Sequence, residues 1–379
     1  MKRLVKESIL RLNPYQNGSH SEELILNHKK VLKLDSNEAT NQPSPSVTAA
    51  LLQYIQNGPI NWYPDVESKS LCRTLSDYVD LPTDHILTFN GSDHALETIA
   101  RTFINPGDEV ILFTPTYDHF RVYVESCDGR IINVAEDSDQ TLAQKISDQI
   151  SARTKIIYVV NPNNPTGRLI SKKEIAEAAA LFPQTLFIVD EAYYEFCELT
   201  VKDLIPTHGN LVVTRSFSKA FGLAGLRCGY MMAQFQICEH VAKIRVGKNI
   251  NALAQVAATA ALEDLDHMKR YVEEVQLTKE WLLSHLSNIG LTVKNTPLNF
   301  ILLKTAHPKK VTEYLKERNI YVRDRSNLPG LEGCLRVTVG DQFLMKRFWR
   351  IFSEIPKAYL FNTTETASGN KAPELFKEY

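Results

Sequence analysis

Seven short apolar runs between Ile86 and Ala233 constrain this chain more than any other feature. "ILTF", "EVILF", "RIINV", "KIIYVV", "LFIVD", "LVVTR" and "CGYMMA" each have the length and composition of one strand, and helical patterns separate several of them. Such alternation predicts an α/β layer with a mainly parallel seven-stranded sheet between helices. In such a sheet ligands bind beyond the carboxyl ends of the strands. The polar, glycine-bearing segments that follow these runs are therefore the places to look for chemistry.

Beyond Asn251 the sequence favours long helices ending near Asn288 and Gly290. Strand, helix and strand patterns then follow in "LTVKNTPLNFILLKT", "VTEYLKERNIYVRDR" and "GCLRVTVG", which suit a smaller α/β domain. The expected division is an N-terminal arm with part of the small domain over 1–44 and a large domain over 45–280. A small C-terminal domain over 281–360 and a polar tail over 361–379 complete it.

The 43 basic and 44 acidic residues leave a formal net charge of -1. No global field then draws the chain to nucleic acid or to an anionic membrane, and any anion site must be local. The N-terminal stretch has charges throughout and no apolar run of signal-peptide length, so the expected address is the cytoplasm. Six cysteines without a CxxC pair imply neither zinc nor disulfides.

Within "SFSKAFGLAGLRCGY", Lys219 lies among Ser216, Ser218, Gly222, Gly225 and Arg227. Hydroxyls with a guanidinium make a phosphate site, and glycines let backbone approach a ligand closely. A lysine nucleophile beside a phosphate site suggests pyridoxal phosphate; a solvated lysine is the plain alternative. That cofactor also requires a carboxylate at its ring nitrogen, and Asp190 follows the apolar run of "LFIVD". Asp190 could instead cap the next helix. Tyr193, three residues on, could reach the ring's phenolic oxygen.

"NPNNPTG", from Asn161 to Gly167, is a rigid strand-to-helix turn that could present the Asn164 amide to the same oxygen. Ser92 and Asp93 follow Gly91 at an expected helix start, where free N–H groups favour a phosphate or simply need an N-cap. Tyr117 could stack on the cofactor ring or belong to the core.

"NPNNPTG", "DEAYYEF" and "SFSKAFGLAGLRCGY", in that order, closely resemble the fold type I aminotransferases of pyridoxal phosphate. The tighter resemblance is to their histidinol-phosphate aminotransferase branch, through "RLNPY", "DSNEATNQPSPSV", "NWYPD", "GSD", "VRDR" and "LRVTVG". It runs from about Arg11 to Gly340. The resemblance implies that Lys219 joins the cofactor and moves the substrate proton, with Asp190 on the pyridine nitrogen and Asn164 and Tyr193 on the phenolic oxygen. It implies a phosphate site of Ser216, Ser218, Arg227 and the amides of Ser92 and Asp93. Tyr63 would reach the cofactor phosphate of a neighbouring subunit, so a homodimer is expected. Arg323 and Arg336 would bind the substrate's anionic group, Asn37 would contact substrate, and Tyr15 would close over it; solvated ion pairs or core packing are the alternatives for these.

The implied reaction converts histidinol phosphate and 2-oxoglutarate to imidazole acetol phosphate and glutamate, with a small-molecule amino donor and keto acceptor. Another amino acid or phosphorylated amine, or decarboxylation of a phospho-amino acid, remains open on the same scaffold. The chain departs from the branch at His94, where an acidic residue is usual, at Trp62, where arginine is common, and from Asn37 to Gln42. These departures sit near the expected substrate mouth and bear on the substrate more than on the cofactor.

Overall fold

All seven apolar runs form strands, and they form one sheet. In the computed structural model, which describes residues 4–362 apart from 16, 17, 20, 21, 29, 137 and 138, the strands in chain order begin with β1 (Leu32–Leu34). β2 (Ile86–Phe89), β3 (Glu109–Thr114), β4 (Arg130–Ala135) and β5 (Thr154–Val160) follow, then β6 (Leu186–Asp190), β7 (Leu211–Ser216) and β8 (Gly229–Ala233). Four more come later: β9 (Val293–Lys294), β10 (Phe300–Lys304), β11 (Ile320–Asp324) and β12 (Cys334–Thr338).

The large sheet has the order β2-β8-β7-β6-β5-β3-β4. β8 runs antiparallel to both of its neighbours, and the remaining pairs are parallel. β6, β7 and β8 are buried along their whole length, as their continuous apolar runs require when both faces of a sheet are covered. On one face Val110, Ile156, Ile188, Val212 and Met231 pack with Ala95, Leu96 and Ile99 of the helix Ser92–Phe103. Strand alternation sends Ile111, Ile157, Val189, Val213 and Met232 to the other face, and these are buried too. Fully burying one such side chain stabilises the fold by roughly 1.5–3 kcal/mol, so this double-sided core is the main source of stability.

Since β8 alone is reversed, the carboxyl ends of β2, β3, β5, β6 and β7 share one edge. "NGSD", "TPTYD", "NPNNPTG", "DEAYY" and "SFSK" all leave from that edge.

Contacts divide the chain into two units. The first comprises Met1–Tyr15, Gln42–Asn164 and Leu169–Met268; the second comprises Gln16–Asn41, Pro165–Arg168 and Lys269–Tyr379. The second holds a five-stranded sheet of order β1-β11-β12-β10-β9, in which β1 pairs parallel with β11 and the other pairs are antiparallel. Its helices include Pro308–Lys316, which starts on a proline, and Gln342–Phe352, capped by Asp341 accepting from the Leu344 amide. The helical stretch after Asn251 forms as Ala252–Glu263 and Leu265–Asn288, with the Asn251 side chain capping the first. From residue 363 onward the expected polar tail lies outside the described residues.

Candidate active site

Asp190 ends β6, and its carboxylate is buried. The Tyr158 hydroxyl on β5 donates to Oδ2 at 2.8 Å, and the Ala192 amide donates to Oδ1 at 3.2 Å. Burial outweighs these bonds and pushes the carboxyl up to about 6, with the Asp93 carboxylate adding to the push. A buried acid in this position would be stabilised by a cation, and the contacts do not match a simple helix cap: the short helix after it, Tyr194–Cys197, has Tyr193 at its N-cap.

Arg227 follows a 3-10 turn at Ala224–Leu226 and adopts φ +56, a left-handed conformation uncommon outside glycine. Its guanidinium donates to Asp93 Oδ2 at 3.3 Å, to Ser218 Oγ at 3.4 Å and to the Ala224 carbonyl at 3.2 Å. The Ser216 hydroxyl accepts from the Ser218 amide at 3.1 Å. Ser92 and Asp93 begin the helix Ser92–Phe103, after Gly91 at φ +82, and the first amides of a helix have no partner within it. Two glycines make the cradle. A Cβ on Gly91 would lie 2.5 Å from the Arg227 guanidinium, and one on Gly229 would lie 2.5 Å from the Ser92 amide nitrogen. Serine hydroxyls, a guanidinium and helix N-terminal amides meeting over side-chain-free backbone fit a phosphate monoester.

Lys219 follows on the same turn, and its ammonium lies 5.5 Å from the centre of the Tyr193 ring. Tyr193 and Asn164 are buried. Lys219 is half-buried, whereas two fully buried lysines are tied into backbone: Lys279 Nζ donates to the carbonyls of Thr296 and Leu298, and Lys145 Nζ to that of Glu136. The loop before Asn164 is fixed through Asn163, whose amide donates to the Pro115 carbonyl and to Glu136 Oε1, both at 2.8 Å. Asn161 clasps Ile170 through both side-chain atoms.

Tyr117 donates its hydroxyl to Asp93 Oδ1 at 2.7 Å, and burial first, then Asp93, holds that phenol well above its usual range. The phenol therefore stays protonated. Tyr15 meets Tyr117 edge-on at 5.8 Å and stacks on His119 at 4.7 Å. The structure thus links Tyr15, Asp93, Tyr117, Ser218 and Arg227 by direct contact, with Ser216 one bond further. Tyr63 is not among them: it is exposed, with the Lys248 ammonium 3.7 Å above its ring. His94 is half-buried against Phe89, and burial lowers its pKa; Trp62 is exposed.

In the second unit Arg323 on β11 pairs directly opposite Arg336 on β12. Arg336 is buried, donates to the Asp35 carbonyl at 2.5 Å and lies 5.4 Å from the Phe300 ring centre. Asn37, buried at φ +56, accepts from the Thr338 hydroxyl and returns its backbone amide to that oxygen, both at 3.1 Å. Part of its bonding capacity therefore serves the fold.

Sequence reasoning missed Tyr158, Glu191 and His119. Tyr158 carries the one hydroxyl in the run "KIIYVV", and a phenol inside an apolar strand needs a partner, which was the available signal. Glu191 forms a buried pair with Arg215 at 2.8 Å, extended by the Thr200 hydroxyl, and so anchors the turn that carries Tyr193.

Residues 29–351 match the family described as Aminotransferase class I and II. The chain belongs to that family. It is a pyridoxal-phosphate-dependent transaminase of fold type I. A histidinol-phosphate aminotransferase of Ruminiclostridium cellulolyticum is 35% identical over 82% of this chain and 88% of its own. A dihydroxyacetone phosphate transaminase of Campylobacter jejuni is 34% identical over 89% and 93%. Among solved structures, the histidinol-phosphate aminotransferase of Sinorhizobium meliloti in complex with pyridoxal-5'-phosphate superposes with a TM-score of 0.81 at 23% identity, covering 93% of this chain and 98% of that one. That last likeness concerns the fold.

Proposed function

We propose that this transaminase moves an amino group between histidinol phosphate and 2-oxoglutarate. The observation that carries the reading is the cross-strand pair Arg323 and Arg336. Two guanidiniums at one register position of neighbouring strands suit the recognition of a dianionic phosphate. The relatives named for histidinol phosphate, at 33–35% identity over most of the chain, support the same substrate.

When bound, pyridoxal phosphate supplies an aldehyde that takes up the amino group and a ring that withdraws electrons from the substrate's Cα. Asp190, held by Tyr158, would keep the proton on the ring nitrogen. Asn164 and Tyr193 would donate to the phenolic oxygen, and Tyr117 would stack on the ring. Ser216, Ser218, Arg227 and the amides of Ser92 and Asp93 would hold the phosphate. Lys219 would anchor the cofactor at rest and carry the proton to and from the substrate's Cα. As in the family that the motifs resemble, Tyr15 would close over the substrate and Asn37 would contact it.

Tyr63 would reach the cofactor phosphate of a second copy, which would make the working form a homodimer. Exposed Ile60, Trp62, Tyr63 and Val66 beside exposed Leu52 and Ile55 supply apolar surface for that contact. Six unpaired cysteines agree with a cytoplasmic setting. Among the described residues no helix is long and apolar enough to cross a membrane.

The Campylobacter jejuni relative favours a second reading, amination of dihydroxyacetone phosphate, which keeps the phosphate ester and replaces the imidazole. Steady-state kinetics on the purified protein separates the two. Turnover of L-histidinol phosphate with 2-oxoglutarate at the higher kcat/KM supports the first reading. Amination of dihydroxyacetone phosphate by L-glutamate without histidinol phosphate turnover supports the second, and carbon dioxide release from a phospho-amino acid without amino transfer would overturn both.

A further inference from the structure

His119 opens the helix His119–Ser126, and its ring lies between two others. Tyr15 stacks on it at 4.7 Å and 9°, and Tyr123, one turn along the same helix, stacks at 4.8 Å and 27°. The ring's Nδ1 is 4.0 Å from Asp93 Oδ1, the atom that accepts the Tyr117 hydroxyl. The same helix holds the N-terminal segment at two further points. Arg121 donates to the Asn13 carbonyl at 3.0 Å, and Asp128, just past the helix end, pairs with Arg11 at 3.4 Å. The backbone of that segment is therefore pinned by ionic and polar contacts, whereas the Tyr15 ring is oriented by His119 and Tyr117.

We propose that His119 is a positioning residue that holds the Tyr15 ring against Tyr117, ready to close over the amino substrate. A flat ring is required for the parallel stack, and an imidazole adds a polar edge toward Asp93 that phenylalanine lacks. With 28% of its side chain exposed, His119 lies at the margin of the core, so its loss removes the stack while leaving the sheet and its packing intact. The inference rests on the reading that Tyr15 contacts substrate.

The test compares holoenzyme carrying His119→Ala, His119→Phe, Tyr15→Ala and the double substitution of Tyr15 and His119 to alanine. Steady-state kinetics with L-histidinol phosphate and the NMR chemical shifts of a selectively labelled Tyr15 ring are measured on each variant that keeps the residue concerned. An aromatic stack lost on substrate closure corresponds to a KM increase of about 2- to 10-fold for His119→Ala with kcat nearly unchanged. His119→Phe recovers most of that loss, the double variant is no worse than Tyr15→Ala, and the ring-current shift of Tyr15 is lost in His119→Ala and kept in His119→Phe. Unchanged KM and an unchanged Tyr15 ring signal in His119→Ala, or losses that simply add in the double variant, would overturn the proposal. If Tyr15→Ala itself leaves KM untouched, the substrate role of Tyr15 fails, and the Tyr15 ring signal alone decides whether His119 holds the ring.

Discussion

The Tyr158 hydroxyl donates to the buried Asp190 carboxylate from the neighbouring strand, at 2.8 Å. The acid proposed to face the cofactor's ring nitrogen is thus oriented by a residue with no chemistry of its own. Tyr158→Phe removes a hydrogen bond to a charged group, a loss that corresponds to about tenfold or more in rate. We expect kcat at saturating cofactor to fall by that order. Asp190→Asn should cost far more, with thermal unfolding of the holoenzyme little changed; a Tyr158→Phe variant with wild-type kcat would separate Tyr158 from the catalytic role.

The raised pKa of Asp190 gives a pH signature to the cofactor-free protein. An unfolded aspartate titrates near 3.8, whereas folded Asp190 titrates near 6 because it is buried. Between those values the folded state binds more protons than the unfolded state, so stability falls as pH rises through the window and is flat above it. Unfolding of cofactor-stripped wild type and Asp190→Asn, followed from pH 4 to 7, should show a difference that grows with pH in favour of the variant. Bound cofactor, whose protonated ring nitrogen would lie at the carboxylate in the proposed arrangement, should diminish that difference. Glu195, buried and pushed to about 7, contributes the same sign in both proteins and cancels in the comparison.

Gly91 and Gly229 should respond differently to alanine. At Gly91 a Cβ meets the end of the Arg227 side chain and imposes φ +82 on a non-glycine residue, so Gly91→Ala should weaken cofactor retention with a moderate loss of stability. At Gly229 the Cβ meets backbone at Ser92, Gly91 and Arg215, which no side-chain movement relieves. Gly229→Ala should lower the unfolding temperature further than Gly91→Ala. Calorimetry with and without pyridoxal phosphate distinguishes the two effects.

For the arginine pair, removing one partner of a charge-assisted contact to a phosphate costs on the order of 100-fold in kcat/KM. Arg336→Gln and Arg323→Gln should each show that loss with L-histidinol phosphate while the cofactor spectrum stays unchanged. Smaller losses with an amino substrate lacking phosphate would assign the pair to the ester; equal losses would assign it to another anion.

The large sheet was legible because strands buried on both faces, as β6, β7 and β8 are, must be continuously apolar; every apolar run became one strand from β2 to β8, the edge strand β4 included, although it is not buried. Asp190 and Lys219 were legible because they interrupt or follow those runs. β1 was not: three residues, Leu32–Leu34, gain strand character from pairing with β11, nearly 290 positions away, and carry no periodic signal. Tyr158 and His119 were missed for a related reason, since their partners Asp190 and Tyr15 come from other elements, and only the register of β5 on β6 and the packing of the N-terminal segment bring them into contact.

The most direct test of the central claim is the absorbance spectrum of purified wild type and Lys219→Ala, each with added pyridoxal phosphate, before and after L-histidinol phosphate and then 2-oxoglutarate. A visible lysine-bound cofactor band in the wild type that disappears with the amine and returns with the keto acid, and neither the band nor turnover in Lys219→Ala, is the predicted result. A wild type with no band, or a Lys219→Ala variant that still completes the cycle, would contradict it.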